Sequence, residues 1–576
     1  MIDINLTKAT IVEDSSDFEN LIMQMNRVPE GWLTVQDNID YSQANGMAEV
    51  IRAVKGAIDT KKKIGLIVDS DADGMSSATQ LIFFLREFGI EPRLYHHPNK
   101  EHGYPSLELL KAQMGEDIEF IIVSDAGTND IERHREYLDS GISSVVLDHH
   151  DVNDIDMPHL VPMVNYFAYK EPAECENPNL SGSSIVYKFI ESYLKATNNT
   201  SDKLLKKCIP FAALGTIADV MNIGDLGTKG IVNKAFSTPI AELPQFFQVV
   251  NEADGRLARY NYTHMNAFLI GWYVAPFINA VIRTGSREER QEALELMTED
   301  FSYHDSIAKY YELFKLKSKQ DSKKKTTVEN MIVKASISGK LNGKIFIGEL
   351  PNDVPKTMTG VIAGEIANLL GKPAIIGRTY SSEDGSKNLS GSARVPNNFP
   401  LNDFRAYCEE TGLVNFAAGH ASAFGVSLPS ENVQQFKNIA DEVIPESVIS
   451  YNVDIVLLSK ISYNIIIEMA KIIQKFADHW SRGFREPLIS MLIPTSEIVS
   501  INLIGKNSNV AKVELANGLE LIKFKNSTEE LEFWKNLITT QEEQKFIQVV
   551  GNLGINEWNG TVTPQLKLEA IKEINL

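Results

Sequence analysis

Acidic and imidazole side chains follow three apolar runs in the first third of the sequence. The residues concerned are Asp69, Asp71 and Asp73 after the first run, Asp125 after the second, and Asp148, His149 and His150 after the third. Closely spaced carboxylates repel one another unless cations neutralise them. Mixed Asp and His ligands without cysteine suit Mn²⁺ or Mg²⁺. The pattern therefore predicts a site for divalent metal ions.

The elements that would position these groups are strands of a mainly parallel sheet. The apolar runs Ile64–Val68, Ile118–Val123 and Ser143–Leu147 alternate with helix-like segments. Strands that are apolar on both faces and alternate with helices are typical of a parallel α/β sheet. Such sheets bind ligands at the carboxyl ends of their strands, and Gly74 allows a sharp turn from the first strand into a helix. We therefore predict an α/β fold in which the acidic and imidazole groups share one edge.

One alternative for the stretch Asp69–Gly74 is a calcium-binding loop. The spacing of the acidic residues resembles such a loop, but the bidentate Glu that completes it is missing. The position of the stretch at the end of a strand also disfavours a calcium-binding regulator.

Bulk properties limit the class of protein. A chain of 576 residues is long enough for about three or four domains. The net charge of −20 lowers the expectation of a nucleic-acid partner without excluding one, since a basic groove can coexist with an acidic exterior. We find no signal peptide and no apolar run of about 18 residues, so no membrane span is expected. The cysteines, Cys175, Cys208 and Cys408, are far apart and odd in number, which favours a reducing cytoplasm.

Changes of pattern along the chain predict the domain organisation. We expect a helical lead-in over 1–60, an α/β catalytic domain over 61–315, a Lys-rich helical linker over 316–330, a smaller α/β domain over 331–447 and a C-terminal β domain over 448–576. In the last of these, Val510–Leu515 and Leu519–Phe524 flank Asn517-Gly518 and predict a hairpin.

Several motifs in order resemble the DHH phosphoesterases. Asp148-His149-His150 is the signature of that family, DSDADG at 69–74 resembles its first motif, and IIVSDAGT at 121–128 its second. FAALGTIADV at 211–220 resembles its fourth motif, which ends in a metal-binding Asp. The resemblance implies metal ligands at Asp71, Asp73, Asp125, His149 and Asp219, with Asp69 a weaker candidate. It implies that His150 is the catalytic histidine beside the metals and that Asp148 orients His149 or His150.

Other segments resemble the RecJ branch of this family. The loop His97–Tyr104 has Lys100 where RecJ proteins have an arginine, and a lysine lacks the bidentate fork of a guanidinium. The stretch Pro276–Arg283 keeps Arg283, for which the resemblance implies a catalytic role, but has Phe277 in place of another arginine. These departures favour a divergent, prophage-type copy.

The second half of the chain continues the resemblance. Ser392 and Arg394 match the Ser-x-Arg motif of the DHH-associated (DHHA1) domain, and Gly419-His420 matches its Gly-Gly-His motif. In RecJ relatives the Ser-x-Arg pair holds the 5′-terminal phosphate. Residues near Trp558 resemble the end of an OB-type barrel, in which Trp558 would stack on a base or pack in the core.

The resemblance implies a 5′→3′ exonuclease that degrades single-stranded DNA to 5′-mononucleotides with two Mn²⁺ or Mg²⁺ ions. Its partners would be single-stranded DNA and a single-strand-binding protein or helicase, with no membrane. Two alternatives stay open: a DHH hydrolase of short oligonucleotides or cyclic dinucleotides, and an inactive homologue that binds DNA or protein.

Overall fold

The structure is a computed structural model that describes residues 2–574 except 99–100, 157, 256, 258–261, 382–384, 397–398, 402, 446–448, 506–508, 540–544 and 559. The side chains of 2, 449, 538, 539 and 558 are not described either. The chain forms two compact units. We call Val28–Ser322 with Asp478–Phe484 the parallel-sheet unit, and Met1–Arg27, Lys323–Ala477 and Arg485–Leu576 the multi-sheet unit.

The strands are, in chain order, β1 Ile2–Asn5, β2 Thr10–Val12, β3 Ile64–Val68, β4 Arg93–His96, β5 Phe120–Ser124, β6 Ser143–Leu147, β7 Met163–Val164, β8 Phe346–Glu349, β9 Ala374–Ser381, β10 Lys387–Arg394, β11 Phe416–His420, β12 Ala423–Pro429, β13 Ile449–Asn452, β14 Ile455–Leu458, β15 Ile489–Pro494, β16 Ile498–Ile504, β17 Val510–Leu515, β18 Glu520–Lys523, β19 Phe546–Trp558 and β20 Thr561–Ile574.

The helices are α1 Phe18–Met25, α2 Met47–Asp59, α3 Ala72–Glu87, α4 Leu107–Met114, α5 Ile131–Asp139, α6 Gly182–Ala196, α7 Asp202–Ala218, α8 Leu226–Phe236, α9 Gln245–Ala253, α10 Ala267–Leu269, α11 Ala275–Thr284, α12 Arg287–Met297, α13 Tyr303–Ile337, α14 Thr359–Leu370, α15 Phe404–Glu410, α16 Val433–Val443, α17 Tyr463–Lys475 and α18 Thr528–Thr539. A π-helical turn, Ile270–Val274, joins α10 to α11.

The parallel-sheet unit is built on a five-stranded sheet with the order β4-β3-β5-β6-β7. Every pairing in it is parallel. All residues of β3 and β5 are buried, as are four of the five in β6, which is why these strands are apolar throughout. Helices α3, α6 and α7 pack against one another, and α4 lies against β4. The predicted parallel α/β fold is confirmed.

Among the residues that the structure describes, one helical stretch of this unit qualifies as a membrane span by length and composition alone. Ala267–Thr284 has a mean hydropathy of 1.3, and 56% of it is buried. Core helices that are mostly buried meet the same test, so the expectation of no membrane span stays a prediction.

The multi-sheet unit contains two larger sheets. The first has the order β11-β12-β10-β9-β8 and is antiparallel except between β8 and β9. Helix α14 packs on β9 and β10 at one side of it. The second sheet has the order β16-β17-β18-β20-β19-β15-β14-β2 and includes the long hairpin β19–β20.

The beginning of the chain differs from the helical lead-in that the sequence predicted. Strand β1 pairs with β13 and β2 pairs with β14, so residues 2–12 contribute two strands to the multi-sheet unit. These pairings join segments more than 400 residues apart in sequence, which no local pattern reveals. The other domain boundaries drawn from the sequence remain predictions.

Candidate functional site

Strand β3 ends in a turn that directs Asp69 and Asp71 towards the carboxyl edge of the sheet. Asp71 is the N-cap of α3, and its Oδ1 accepts hydrogen bonds from the N–H groups of Asp73 and Gly74, each at 3.0 Å. A Cβ at Gly74 would lie 2.5 Å from the Asp69 Cβ, so only glycine fits there. The Asp69 carboxylate is buried and lies 2.5 Å from the Nδ1 of His102.

Asp73 is held where α3, α6 and α7 meet. The N–H groups of Gly182 and Ser183, at the start of α6, donate to its two carboxylate oxygens at 2.8 and 3.1 Å. A Cβ on Gly215 of α7 would lie only 1.8 Å from the Asp73 Oδ1. The absence of a side chain at Gly215 therefore makes room for the buried carboxylate.

Asp125 follows β5 in a left-handed backbone conformation, with φ of 63°. Its N–H donates to the carbonyl of Leu147 at 2.9 Å, which ties the turn to the neighbouring strand. Within the described part of the chain, its buried Oδ1 forms no hydrogen bond, because the His149 Nε2, 3.1 Å away, is not aligned for one. Burial raises the pKa of this carboxyl well above its usual range, and the nearby Asp73 and Asp71 raise it further. A residue other than glycine at positive φ, with a buried oxygen that forms no hydrogen bond, is a strained arrangement that is typical of functional sites.

His149 lies among three of the carboxylates. Its Nε2 is 3.1 Å from the Asp125 Oδ1, 3.7 Å from an Asp219 oxygen and 4.0 Å from an Asp73 oxygen. Burial lowers the pKa of His149, which favours the neutral ring that can bind a metal. Burial, together with Asp73 and Asp71, raises the pKa of Asp219 to about 8.

These side chains fit divalent cations. Three sets have ligand atoms within 4.8 Å of one another: Asp69 with Asp71 and His102, Asp73 with His149 and Asp219, and Asp125 with His149 and His150. Positive charge would stabilise the carboxylates of Asp125 and Asp219, whose pKa the neighbouring carboxylates raise. Oxygen and imidazole donors without thiolate suit Mn²⁺ or Mg²⁺. The unsatisfied Oδ1 of Asp125 is the atom that best supports this fit.

Asp148 and His150 form an ion pair beside the cluster. The Asp148 Oδ1 lies 2.8 Å from the His150 Nδ1 and also accepts from the His149 N–H at 2.7 Å. Its Oδ2 accepts from the Thr128 N–H and hydroxyl at 3.1 and 2.6 Å. Burial alone would raise the pKa of Asp148, but His150 holds it below its usual range. The His150 side chain is 53% exposed, and its partial burial alone would lower its pKa, but Asp148 raises it to about 10, so the ring carries a positive charge at neutral pH.

Arg283 supplies a second positive charge from α11. Burial lowers the pKa of its guanidinium, while the Asp71 carboxylate acts in the opposite direction, which places the two groups near each other. Phe277, at the other arginine position of the RecJ pattern, is buried and packs on Tyr310 with ring centroids 4.8 Å apart. That position therefore contributes to the core and not to the site.

A second polar surface lies on the β8–β12 sheet of the multi-sheet unit. The hydroxyls of Ser392 and Thr359 are 2.9 Å apart, and a Cβ on Gly360 would lie 2.7 Å from the Arg394 guanidinium. Both β10 side chains therefore lie at the first turn of α14, and the N-terminus of a helix favours anions. In the register of the sheet, Arg394 faces Ala423, and Ala423 faces His420. Strands about 4.8 Å apart place Arg394 and His420 about 10 Å apart.

Gly419 and His420 belong to edge strand β11. Gly419 has φ of 130°, a conformation that favours glycine, and the His420 side chain is exposed. Two residues predicted to bind substrate cannot be placed in this way. Lys100 lies outside the described residues, and of Trp558 only the backbone, in β19, is described.

The structure adds His102 to the residues that the sequence singled out. His102 is half-exposed, and its ring contacts the buried Asp69. It lies within the loop His97–Tyr104, which resembles RecJ, but a single histidine next to a glycine carries no separate signal in the sequence. Thr128, which fixes Asp148, lies in the second DHH motif, where the sequence gives it no role of its own.

Comparison with known proteins agrees with the architecture. The family model described as "DHH family, N-terminal domain" matches residues 63–216, and the model described as "RecJ OB domain" matches residues 463–570. An SPbeta prophage-derived protein of Bacillus subtilis (strain 168), YorK, whose name describes a single-strand DNA-specific exonuclease, is 24% identical over 562 residues. That alignment covers 93% of this chain and 92% of YorK. The prediction of a prophage-type copy agrees with this similarity.

RecJ proteins are similar over most of the chain. The single-stranded-DNA-specific exonuclease RecJ of the same organism is 24% identical over 553 residues, which cover 92% of this chain and 64% of RecJ. The crystal structure of RecJ in complex with Mn²⁺ from Thermus thermophilus superposes with a TM-score of 0.74 at 17% identity, covering 100% of this chain and 80% of that one. Residues 63–216 thus resemble a DHH N-terminal domain and residues 463–570 a RecJ OB domain, and the chain shares its fold with the RecJ of Thermus thermophilus.

Proposed function

We propose that this protein is an exonuclease that hydrolyses single-stranded DNA from its 5′ end and releases 5′-mononucleotides, using two divalent metal ions. The observation that carries the proposal is the buried convergence of carboxylates and one neutral imidazole around Asp125, whose Oδ1 has no hydrogen-bond partner among the described residues. The names of the similar proteins, which specify single-stranded DNA and exonuclease activity, support the choice of substrate.

In this proposal two sets of side chains hold Mn²⁺ or Mg²⁺. Asp69, Asp71 and His102 would hold one ion, Asp73, His149 and Asp219 would hold the other, and Asp125 would reach both. Two ions in one site lower the pKa of a bound water and neutralise charge on a scissile phosphate. The turn after β3, the start of α6 and Gly215 keep these ligands in place without further movement.

The remaining polar groups would act on the phosphate itself. His150 stays charged because Asp148 raises its pKa, so it can donate a hydrogen bond to a phosphate oxygen on which negative charge develops. Asp148 orients this ring by accepting from its Nδ1. Arg283, close to Asp71, is placed to contribute a second cation to the same region.

The direction of cleavage would be set in the multi-sheet unit. Ser392, Arg394 and His420 offer hydroxyl, guanidinium and imidazole donors on one sheet face, with Gly419 next to His420 in the edge strand, and a hydroxyl with a guanidinium matches a terminal phosphate. We propose that this surface anchors the 5′ phosphate, with Lys100 and Trp558 contacting the strand farther along. The multi-sheet unit would then comprise a DHHA1 domain over 331–447 and an OB-like domain over 448–576, joined by a Lys-rich helical linker over 316–330 to the DHH domain over 61–315.

We place the activity in the cytoplasm, where the free cysteines stay reduced. A single-strand-binding protein or a helicase would supply the substrate, and no membrane is involved. Repair, recombination and phage replication all generate such strands.

The experiment that tests the proposal uses single strands labelled at either end, incubated with Mn²⁺. We expect the 5′ label to appear at once as a mononucleotide, whereas the 3′ label should stay in shortening fragments. Asp71→Asn should abolish both signals, and because Asn caps a helix as well as Asp the fold should persist. Asp139→Ala, at an exposed carboxylate at the end of α5, is the matched control and should leave the rate unchanged.

Other outcomes would identify the alternatives. A strong preference for dinucleotides or cyclic dinucleotides over long strands would indicate a hydrolase of short substrates. Binding of DNA without any Mn²⁺-dependent cleavage, after removal of metal with EDTA and its replacement, would indicate an inactive binding protein.

A further inference from the structure

A short segment from the C-terminal half of the chain completes the parallel-sheet unit. Residues Asp478–Phe484, which we call the 478–484 segment, belong to this unit although the residues on both sides of them do not. Phe484 is fully buried and stacks on Trp32 with ring centroids 4.2 Å apart. Trp480 stacks on the same Phe484 ring at 5.1 Å. The aromatic packing holds the segment firmly against the unit.

The backbone of this segment is fitted to the turn that follows Asp219. The Ile223 N–H donates to the Arg482 carbonyl at 3.0 Å. Gly483 has φ of 87°, and a Cβ there would lie 1.8 Å from the Asn222 Oδ1. Both the positive φ and the close approach of Asn222 therefore exclude a side chain at position 483. These contacts fix the position of the neighbouring Arg482 relative to residues 220–223.

The side chain of Arg482 extends towards the metal centre. Its Nη1 donates to the carbonyl of Val220, the residue after Asp219, at 3.4 Å. The guanidinium is close enough to Asp219 to counteract, in part, the rise in the pKa of that carboxyl that burial and Asp73 cause. Arg482 is exposed, and it has no carboxylate partner within hydrogen-bonding distance among the ion pairs of the described residues. Most of its five donors are therefore available.

We propose that Arg482 binds a phosphate group of the nucleic-acid strand at the Asp219 side of the metal centre. This inference rests on the proposed function. A chain with a net charge of −20 and a cluster of carboxylates repels a polyanion unless cations are fixed beside the site. A guanidinium on a rigid support is suited to this because its planar fork matches two phosphate oxygens. Arg482 would thus bind substrate without acting in the chemical step.

A purely structural role for Arg482 makes a different prediction. If the side chain only supported the turn at Val220, its removal would change the stability of the chain but not the number of phosphates that it contacts. Each phosphate contact with a single strand contributes about 0.7 to the slope of log K against log salt concentration. The salt dependence of binding therefore separates the two roles.

The test measures the binding of a fluorescent oligothymidylate to the full chain carrying Asp71→Asn, which prevents cleavage. Adding Arg482→Gln should make the salt slope shallower by about 0.7 and weaken binding at low salt by about tenfold. Arg482→Lys should keep the slope of the parent, since the charge remains. Arg52→Gln, at an exposed arginine on α2, controls for the loss of one positive charge from the same unit and should leave the slope unchanged.

The possible outcomes separate this inference from the proposed function. If the parent binds the strand and Arg482→Gln has the same slope as the parent, the inference is overturned and the proposed function stands. If Arg482→Gln and Arg52→Gln reduce the slope equally, the effect is one of general charge and the inference is again overturned. If the parent binds no single strand at all, the proposed function fails and Arg482 loses its role with it.

Discussion

Gly215 offers a direct test of how the metal ligands are packed. This residue lies inside α7, where replacing glycine by alanine would ordinarily stabilise the helix by about 1 kcal/mol. Here the added Cβ would lie 1.8 Å from the Asp73 Oδ1 and 2.1 Å from the Ser183 hydroxyl. An ordinary contact is at least 3.4 Å, so the Asp73 carboxylate would have to move by well over an ångström.

Two energetic costs oppose the gain in helix propensity that alanine brings at position 215. Moving the carboxylate breaks its hydrogen bonds with the N–H groups of Gly182 and Ser183, and a hydrogen bond to a charged group contributes about 1.5–3 kcal/mol. Overpacking in a core costs about 1–3 kcal/mol. Together these costs exceed the gain in helix propensity, so Gly215→Ala should lower the free energy of unfolding by about 1.5–5 kcal/mol. Because Asp73 is a proposed ligand, Mn²⁺ affinity should fall about 10–100-fold.

The assay compares Gly215→Ala with Gly56→Ala. Gly56 lies in α2 of the same unit and has nothing within 4 Å of an added Cβ. Urea denaturation should show a loss for the first variant and a gain of about 0.5–1 kcal/mol for the second, and calorimetry should show weakened Mn²⁺ binding for the first alone. If Gly215→Ala is stabilised like Gly56→Ala and binds Mn²⁺ normally, Asp73 does not lie where the structure places it.

Three further predictions concern protonation. Since burial and neighbouring carboxylates raise the pKa of Asp219 to about 8, its carboxyl must lose a proton before it can bind a metal ion. Calorimetry should therefore show the affinity for Mn²⁺ rising with pH up to about 8, by about tenfold per pH unit for each displaced proton. An affinity that does not change with pH would count against the site. In Asp148→Asn the pKa of His150, measured by NMR, should fall from about 10 towards neutrality, because partial burial then acts without the Asp148 carboxylate. The stabilisation that this ion pair gives the fold is present below the ordinary histidine pKa and is lost as pH rises through about 10. A His150 ring that stays charged at high pH in the variant would refute the pairing. Burial lowers the pKa of Lys229 to about 7, so between that pH and the ordinary lysine pKa the unfolded chain binds more protons than the folded one. The free energy of unfolding of the wild type, measured by urea denaturation, should therefore rise with pH in this range relative to that of Lys229→Met. Parallel pH profiles for the two proteins would show that Lys229 is not buried.

The central sheet could be predicted from the sequence because its strands carry their own signal. Strands β3, β5 and β6 are buried on both faces, so each reads as an uninterrupted apolar run, and β6 has the bounds that the sequence predicted. The hairpin β17–β18 was readable for another reason. Asn517-Gly518 provides the turn, and Gly518 has φ of 82°.

Pairings between distant segments could not be predicted in this way. Strand β2 has three residues and pairs with β14, and β1 pairs with β13, so each depends on a partner more than 400 residues away. A short strand of this kind has no local pattern that distinguishes it from a loop. For this reason the two strands within residues 2–12 could not be predicted, whereas α1 and α2 lie within the expected helical lead-in.

The residues of the site also divide into those that the sequence predicts and those that only the structure shows. Asp69, Asp73 and Asp125 follow strands, and the carboxyl ends of parallel strands share an edge, so their convergence followed from the pattern. His102 and Arg482 reach the same region from a loop and from a segment over 260 residues beyond Asp219. Gly215 could not be recognised as making room for Asp73, because a helical glycine gives no indication of what packs against it.

The most direct test of the central claim is an anomalous diffraction map from a crystal of the full chain soaked in Mn²⁺. We expect two peaks about 3.5–4 Å apart, one bounded by Asp69 and Asp71 and the other by Asp73, His149 and Asp219, with Asp125 between them. A map without a peak among these residues, or with a single peak elsewhere on the chain, would contradict the two-metal account.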